Sequence, residues 1–172
     1  KGNRVISVCL YDINHLKDVN DRFGHAEGDR LIRVITRAVS KVFKRGDFGF
    51  RLSGDEFIAV INADAVEAKR LLESVLAELC GLSRTQAYPY QVSFCFGIVE
   101  VLPGSDLTLA EAIARADQRM YDQKRRFHIE ESERKALAEQ PTPSDVETFE
   151  YNANRLLDAL VKSTDDYIYV CN

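Results

Sequence analysis

The chain has 172 residues, of which 45% are hydrophobic, and a formal net charge of −4 at pH 7. That length suits one domain of ordinary size with an appendage, and the apolar fraction suffices for a single buried core. The acidic balance argues against a general nucleic-acid binder, which carries a basic face, yet leaves room for a small anionic ligand held by local cations. Cys9, Cys80, Cys95 and Cys171 lie far apart without CxxC spacing, so a reduced cytosolic protein lacking a zinc site is expected. No apolar run approaches the roughly 20 residues that span a bilayer, and no signal peptide is visible. The chain opens almost directly on VISVCLY and closes on YIYVCN, which suggests a piece of a longer protein.

Residues 4–11 alternate loosely and are rich in Val, Ile and Cys, predicting a buried strand. Over residues 25–44 the pattern turns helical, with Leu31, Ile35, Ala38, Val39 and Val42 on one apolar face. Residues 47–52 and 56–62 read as two short strands joined by the Ser53-Gly54 turn, a hairpin. A second helix is predicted over 63–82, with Val66, Leu71, Val75 and Leu79 facing inward. A strand follows over 92–101, bounded by Pro103-Gly104, and a third helix over 108–127. This order matches an α+β fold of the ferredoxin-like split βαβ type, a central antiparallel sheet flanked by helices. In that layout the first two strands run parallel, with the third antiparallel between them.

Beyond Phe127, HIEESERKALAEQ is highly charged and reads as a solvated helical extension or linker. QPTPS then breaks any helix, because two closely spaced prolines cannot continue one. Helical spacing resumes over 145–163 through Val146, Phe149, Ala153, Leu156, Leu157 and Leu160, a stripe that needs a partner surface. The expected division is therefore a domain at 1–128, a charged linker with a proline break at 129–144, and a helical extension at 145–172.

The split βαβ topology brings the end of the first strand and the hairpin to one edge of the sheet. Asp12 ends that strand, and Asp55 and Glu56 sit on the hairpin in FRLSGDEF, so three carboxylates should converge. Clustered carboxylates repel unless a cation or proton neutralises them. They are either ordinary polar loop ends or oxygen donors of the kind Mg²⁺ takes when a nucleotide phosphate completes its shell. The predicted convergence favours the second. Lys17 lies close behind Asp12 and could hold a phosphate as a point charge. Asp29 could accept the paired N1–H and N2–H donors of guanine, which adenine lacks, while Asn20 could both donate and accept on another edge. Equally, Asn20 could cap a turn, and Asp29 lies in a first helical turn where the dipole favours it anyway.

The spacing D-x-x-x-x-K-x-x-N-D-x-x-G-H-x-x-G-D over 12–29, with S-G-D-E-F over 53–57 and Y-x-x-K over 121–124, resembles the GGDEF family of bacterial diguanylate cyclases. The resemblance covers about residues 4–128 and implies a nucleotidyl-cyclase-like palm. It implies that Asp12, the Ile13 carbonyl and Asp55 hold one or two Mg²⁺ ions, with Mn²⁺ as a substitute. The backbone amides of His15 and Leu16, with Lys17 and Lys124, would grip phosphates, and Asn20 and Asp29 would read guanine. Glu56 would assist deprotonation of an attacking 3′-hydroxyl, a role Asp55 could share, and the small Ser53-Gly54 turn would let backbone approach the nucleotide. One site holds one GTP, so condensing two into cyclic di-GMP needs a homodimer. Implied partners are GTP, a second copy and other domains of the same polypeptide, with no DNA, RNA or membrane contact by this segment. A cytoplasmic location is implied, with anchoring through regions outside this sequence left open. The alternative is a weak or inactive module that binds GTP and regulates a neighbouring domain.

Several residues depart from the family pattern. Ser53 replaces the first glycine of the signature, and if that position needs positive φ a Cβ costs about 1 kcal/mol or more. His15 and Leu16 stand where phenylalanines are usual, and His128 where an arginine is often found, with Arg125 and Arg126 nearby. The family's product-inhibition R-x-x-D reads Lys44-Arg45-Gly46-Asp47. Lysine cannot make the bidentate guanidinium contact, so feedback through Lys44 and Asp47 is expected to be weak or absent. The lead-in helix with its D-x-L-T-G-L stretch is missing. DALVKSTDDYIYVCN resembles the opening of a PAS-type sensor domain, with an amphipathic helix as the other reading.

Overall fold

The computed structural model describes residues 4–84 and 88–138. The helical stripe expected over 145–163 and the PAS-like stretch lie outside the described residues. The elements in chain order are β1 (Ile6–Ile13), α1 (Leu16–Phe23), α2 (His25–Lys41), β2 (Phe48–Ser53), β3 (Glu56–Ile61), α3 (Ala65–Arg84), β4 (Phe94–Val101) and α4 (Leu109–Ala138). The strands form one sheet in the order β2-β3-β1-β4, with every neighbouring pair antiparallel. β1 and β2 therefore point the same way with β3 between them, the expected ferredoxin-like split βαβ.

Successive side chains of a strand point to opposite faces, and here both faces are buried. On one face Cys9, Tyr11 and Ile13 of β1 join Phe57, Ala59 and Ile61 of β3. Leu31 and Ile35 of α2 and Leu72, Val75 and Leu79 of α3 cover them. On the other face Val8 and Leu10 of β1, Ile58 of β3, and Cys95 and Val99 of β4 meet Ala112, Ala116 and Met120 of α4. The period-four spacing of these α4 residues puts one small or flexible side chain per turn on the sheet.

Gly97 of β4 lies directly under this seam: a Cβ there would collide with the Ala116 carbonyl oxygen and the Met120 amide. The same helix closes the outer edge of β4. Gln123 Oε1 accepts from the Phe96 amide, and Arg119 donates to the Ile98 carbonyl oxygen. Edge groups that would otherwise be open to a foreign strand are thus paired.

Three details differ from the sequence reading. α1 was not anticipated, because an eight-residue helix with only Leu16 and Val19 buried shows too little periodicity. α2 ends at Lys41 rather than residue 44. Val66 does not face inward but is 79% exposed, and Ala68 and Leu72 take the core positions at that end of α3. α4 continues past residue 127 to Ala138, taking up as helix the charged stretch read as a helical extension or linker, with a Glu131–Lys135 ion pair at 3.2 Å. The compact unit holding the sheet ends at Ile129.

Because the backbone of α4 occupies the space a Cβ would need, Gly97→Ala should lower unfolding stability by about 1–3 kcal/mol, read as a shifted urea midpoint. An unchanged midpoint would mean the helix does not sit this close.

Candidate functional site

β1 carries Asp12 on the face that α4 covers, continuing the series Val8, Leu10, Asp12. α4 presents Lys124 one turn beyond Met120, so the apolar seam ends in a charged pair. Lys124 Nζ donates to Asp12 Oδ1 at 2.8 Å, and Asp12 is 4% exposed. In the antiparallel register Asp12 stands opposite Glu56 of β3 on one side and Cys95 of β4 on the other. The Ile13 amide donates to the Asp55 carbonyl oxygen at 3.0 Å, locking the hairpin tip to the end of β1. Asp12, Ile13, Asp55 and Glu56 are thus brought to one edge of the sheet.

Two of these carboxylates have side-chain partners. Glu56 Oε2 accepts from Ser53 Oγ at 2.8 Å, and Asp12 is engaged by Lys124. Among the described residues no three histidine, cysteine or acidic side chains form a cage for a metal ion. Asp12 nonetheless stands in register with Glu56 and feels the charges of both Asp55 and Glu56. The donors at this edge are all oxygen: two aspartates and a peptide carbonyl. Such a set suits a hard cation that takes one or two carboxylates and completes its shell with phosphates.

The electrostatics of the pair are unequal. Burial pushes the Asp12 carboxyl up, the Lys124 hydrogen bond and charge pull it down, and Asp55 and Glu56 push it up again, leaving it above its ordinary value. Burial pulls the Lys124 ammonium down, but its hydrogen bond to Asp12 and the charges of Asp12 and Asp55 outweigh this and raise it. Lys124 gains from the pair, whereas Asp12 still carries a net cost of burial.

The signature turn is a tight one between paired Ser53 and Glu56, with Gly54 at φ 29°. Arg51 Nε donates to the Gly54 carbonyl oxygen at 2.8 Å and steadies the tip. Among the described residues His15 is the one non-glycine with positive φ, so Ser53 needs no left-handed backbone and its Cβ costs no strain there.

His15, at φ 60°, precedes α1, which among the described residues begins without a side-chain cap. The first amides of a helix lack internal partners, so the Leu16 and Lys17 amides stand as donors at the start of α1, shortly after the end of β1. Lys17 is exposed there. The His15 ring lies 6.1 Å from that of His128, which places His128 of α4 at the same corner.

Asn20 and Asp29 sit on α1 and α2 around Gly24, whose φ of 87° turns the chain between the two helices. A Cβ on Gly28 would strike the Asn20 amide, so the glycine before Asp29 is what allows that side chain to lie against α2.

The candidate inhibitory residues are occupied within the fold. Asp47 Oδ1 accepts from the Asn62 amide at 2.8 Å and from Asn62 Nδ2 at 2.9 Å, and Oδ2 from the Lys44 amide at 2.8 Å. Burial pushes the Asp47 carboxyl up, but these bonds hold it below its ordinary value. Lys44 Nζ lies 3.7 Å from Glu67.

Two features escaped the sequence reading: the Lys124–Asp12 pair, and the tethering of the hairpin by Arg51. No local signal in either segment marks the first. The second is a side-chain contact across the turn, which the hairpin pattern alone does not reveal.

An antiparallel split βαβ sheet with an acidic hairpin and a basic helix at one edge places the protein among palm domains of the nucleotidyl-cyclase type. The family described as "Diguanylate cyclase, GGDEF domain" matches residues 1–128, and the chain belongs to it. It is 33% identical over 121 residues to diguanylate cyclase DgcP of Pseudomonas aeruginosa, covering 69% of this chain and 18% of that protein. It is 30% identical over 124 residues to diguanylate cyclase VdcA of Vibrio cholerae, covering 69% and 36%. Among solved structures, the GGDEF domain of DgcB from Caulobacter crescentus in complex with c-di-GMP aligns with a TM-score of 0.63 at 27% identity, covering 71% of this chain and 73% of that one. The chain spans well under half the length of these curated relatives.

A buried carboxylate held above its ordinary value destabilises the fold once ionised. The stability linked to Asp12 is present below the unfolded value near 3.8 and lost as pH rises through the raised folded value. Asp12→Asn should therefore raise the melting midpoint at pH 7. The advantage should fade below about pH 4, where the unfolded carboxyl also protonates. A variant that melts lower than the wild type at pH 7 would show that the pair with Lys124 fully offsets the burial of Asp12.

Proposed function

We propose that this chain is the output domain of a bacterial signalling protein and condenses two GTP molecules into cyclic di-GMP and pyrophosphate. The observation that carries the reading is the juxtaposition of Asp12 with the Asp55-Glu56 hairpin, beside Lys124 and the uncapped start of α1. In this reading Asp12, the Ile13 carbonyl and Asp55 hold a divalent cation, magnesium with manganese as a substitute. When bound, the cation would offset the negative charge that develops on the phosphates.

The protein's own residues do the remaining work. The amides of His15 and Leu16, with Lys17 and Lys124, hold the triphosphate against the N-terminal end of α1. Asn20 and Asp29 bind the guanine edge, Asp29 through the two parallel donors that adenine lacks. Ser53 and Gly54 keep the hairpin backbone low enough for the nucleotide to pass. Glu56, or Asp55 in its place, accepts the proton of a 3′-hydroxyl as that oxygen bonds to the α-phosphorus of a second GTP. The bond from that phosphorus to the bridging oxygen breaks, and pyrophosphate leaves with the electron pair. Each copy presents one nucleotide, so two copies face each other for the reaction. The reading places the domain in the cytoplasm, joined to other domains of the same polypeptide.

A second reading, a regulatory module that binds GTP without turnover, is favoured by one observation: the Ser53 hydroxyl occupies an oxygen of Glu56. Incubation with GTP and Mg²⁺, followed by chromatography, separates the two. Cyclic di-GMP in the product supports the enzyme. Bound GTP without product, at concentrations where the chain is dimeric, supports the module. Asp29→Ala should weaken GTP binding about tenfold or more and erase the preference over ATP, since a hydrogen-bonded charged group contributes roughly 1.5–3 kcal/mol. Unchanged GTP affinity would remove Asp29 from the base site.

The reading also expects little product feedback, because Asp47 is already committed to Asn62 and the loop at Lys44. Calorimetry with cyclic di-GMP should show no tight binding that Lys44→Ala abolishes, and its appearance would reinstate the inhibitory site.

A further inference from the structure

Lys124 stands where a cation would act. Its ammonium lies 2.8 Å from Asp12 Oδ1, and the Asp12 side chain is 6% exposed. The same carboxylate feels the negative charges of Asp55 and Glu56, so its surroundings call for positive charge whether or not a ligand is bound. Among the described residues, no cage of three acidic, histidine or cysteine side chains is available. The protein alone therefore offers a divalent ion few ligands, and the ion must compete with an ammonium already in contact. A dication and an ammonium on one carboxylate repel each other at a separation of a few ångströms.

A triphosphate alters both sides of that competition. It brings oxygen ligands that complete the shell of a hard cation. It also brings a new anionic partner for Lys124. The lysine is 33% exposed, and its four-carbon stem can carry the ammonium elsewhere without moving α4. The core packing of Met120 and Ala116, one and two turns earlier, holds the helix in place meanwhile.

We infer that the Lys124–Asp12 ion pair is a latch that keeps divalent cations off the site until a nucleoside triphosphate arrives. On arrival the two cations exchange partners: Lys124 passes from Asp12 to phosphate, and the metal takes its place on the carboxylate. No covalent bond changes in this step. The inference rests on Asp12 being a metal ligand, as proposed above, and adds that metal binding is conditional on nucleotide.

The test needs no turnover. Binding of Mn²⁺ alone is read from the loss of the free-ion electron paramagnetic resonance signal, with no nucleotide present. The wild-type chain should bind weakly. Lys124→Met, which keeps the stem and deletes the charge, should tighten Mn²⁺ binding about tenfold or more, since a full positive charge has left the neighbourhood of the carboxylate. Lys124→Arg, which keeps the charge, should remain as weak as the wild type. Circular dichroism melts show that each variant is folded. If Lys124→Met binds Mn²⁺ no better than the wild type, the latch is refuted.

A second measurement separates that failure from failure of the site itself. Calorimetric binding of Mn²⁺ with 3′-deoxy-GTP, which lacks the attacking hydroxyl, should be lost in Asp12→Asn. Loss there, with no gain in Lys124→Met, removes the latch and leaves the metal site standing. Binding that survives Asp12→Asn, or a gain in Lys124→Met that persists when Asp12→Asn is added, removes both.

Discussion

The antiparallel register of β1 against β3 is the constraint on which the site depends. It sets Asp12 opposite Glu56 and ties the Ile13 amide to the Asp55 carbonyl, so residues from distant parts of the chain meet at the same level of the sheet. A slip of one residue would turn every β1 side chain to the opposite face and carry Asp12 away from α4. Buried pairs on both faces resist such a slip. Tyr11 stacks on Phe57 at 5.1 Å on one face, and Leu10 pairs with Ile58 on the other. Packing that has no chemistry of its own thus fixes where the chemistry can occur.

The second constraint is the seam between α4 and the sheet. Ala112, Ala116 and Gly97 let the helix lie close, and the closeness brings Lys124 to Asp12. The two ends of that pair are not equally served. The ammonium is stabilised by its partners, while the carboxylate remains above its ordinary value despite them. A buried ion pair is weak support for stability, because removing both charges from water can cost as much as their attraction returns. The opposite case lies at Asp47, whose carboxylate is held down by three hydrogen bonds and closes the loop between α2 and β2. One aspartate is left above its ordinary value by burial, and the other is held below it by hydrogen bonds within the fold.

Elements with a strong period were legible. The apolar face of α2 and the alternation of β1 and β3 predicted both the elements and their burial, and the hairpin turn predicted the pairing of β2 with β3. From these the split βαβ order followed, and from that order the meeting of Asp12 with the hairpin. α1 was hidden because only two of its eight residues, Leu16 and Val19, are buried, too few to show a period. Val66 was misplaced because the inward stripe of α3 runs through Ala65, Ala68 and Leu72, which turns Val66 to solvent. The role of Gly28 was invisible in sequence, since only the coordinates show the Asn20 amide lying where its Cβ would be. The Lys124–Asp12 bond was hidden for another reason: a lysine in a motif read as phosphate-binding gives no hint of what it holds when no phosphate is there.

The serine in the signature turn can now be weighed by where backbone strain resides. A glycine signature suggests a position that only glycine can occupy, yet Ser53 lies in the last residue of β2 and is not among the positive-φ positions. The strained residue at this edge is His15, whose φ of 60° costs a residue with a Cβ of order 1 kcal/mol. That cost has a visible return, for it starts α1 abruptly after β1 and leaves its first amides uncapped. What serine changes is chemical rather than conformational: its hydroxyl gives Glu56 a fixed hydrogen-bond partner that glycine cannot supply. In the proposed reaction this bond restrains one carboxylate oxygen and leaves the other to meet the hydroxyl proton. The substitution therefore bears on the orientation of Glu56 and leaves the path of the chain as glycine would have it.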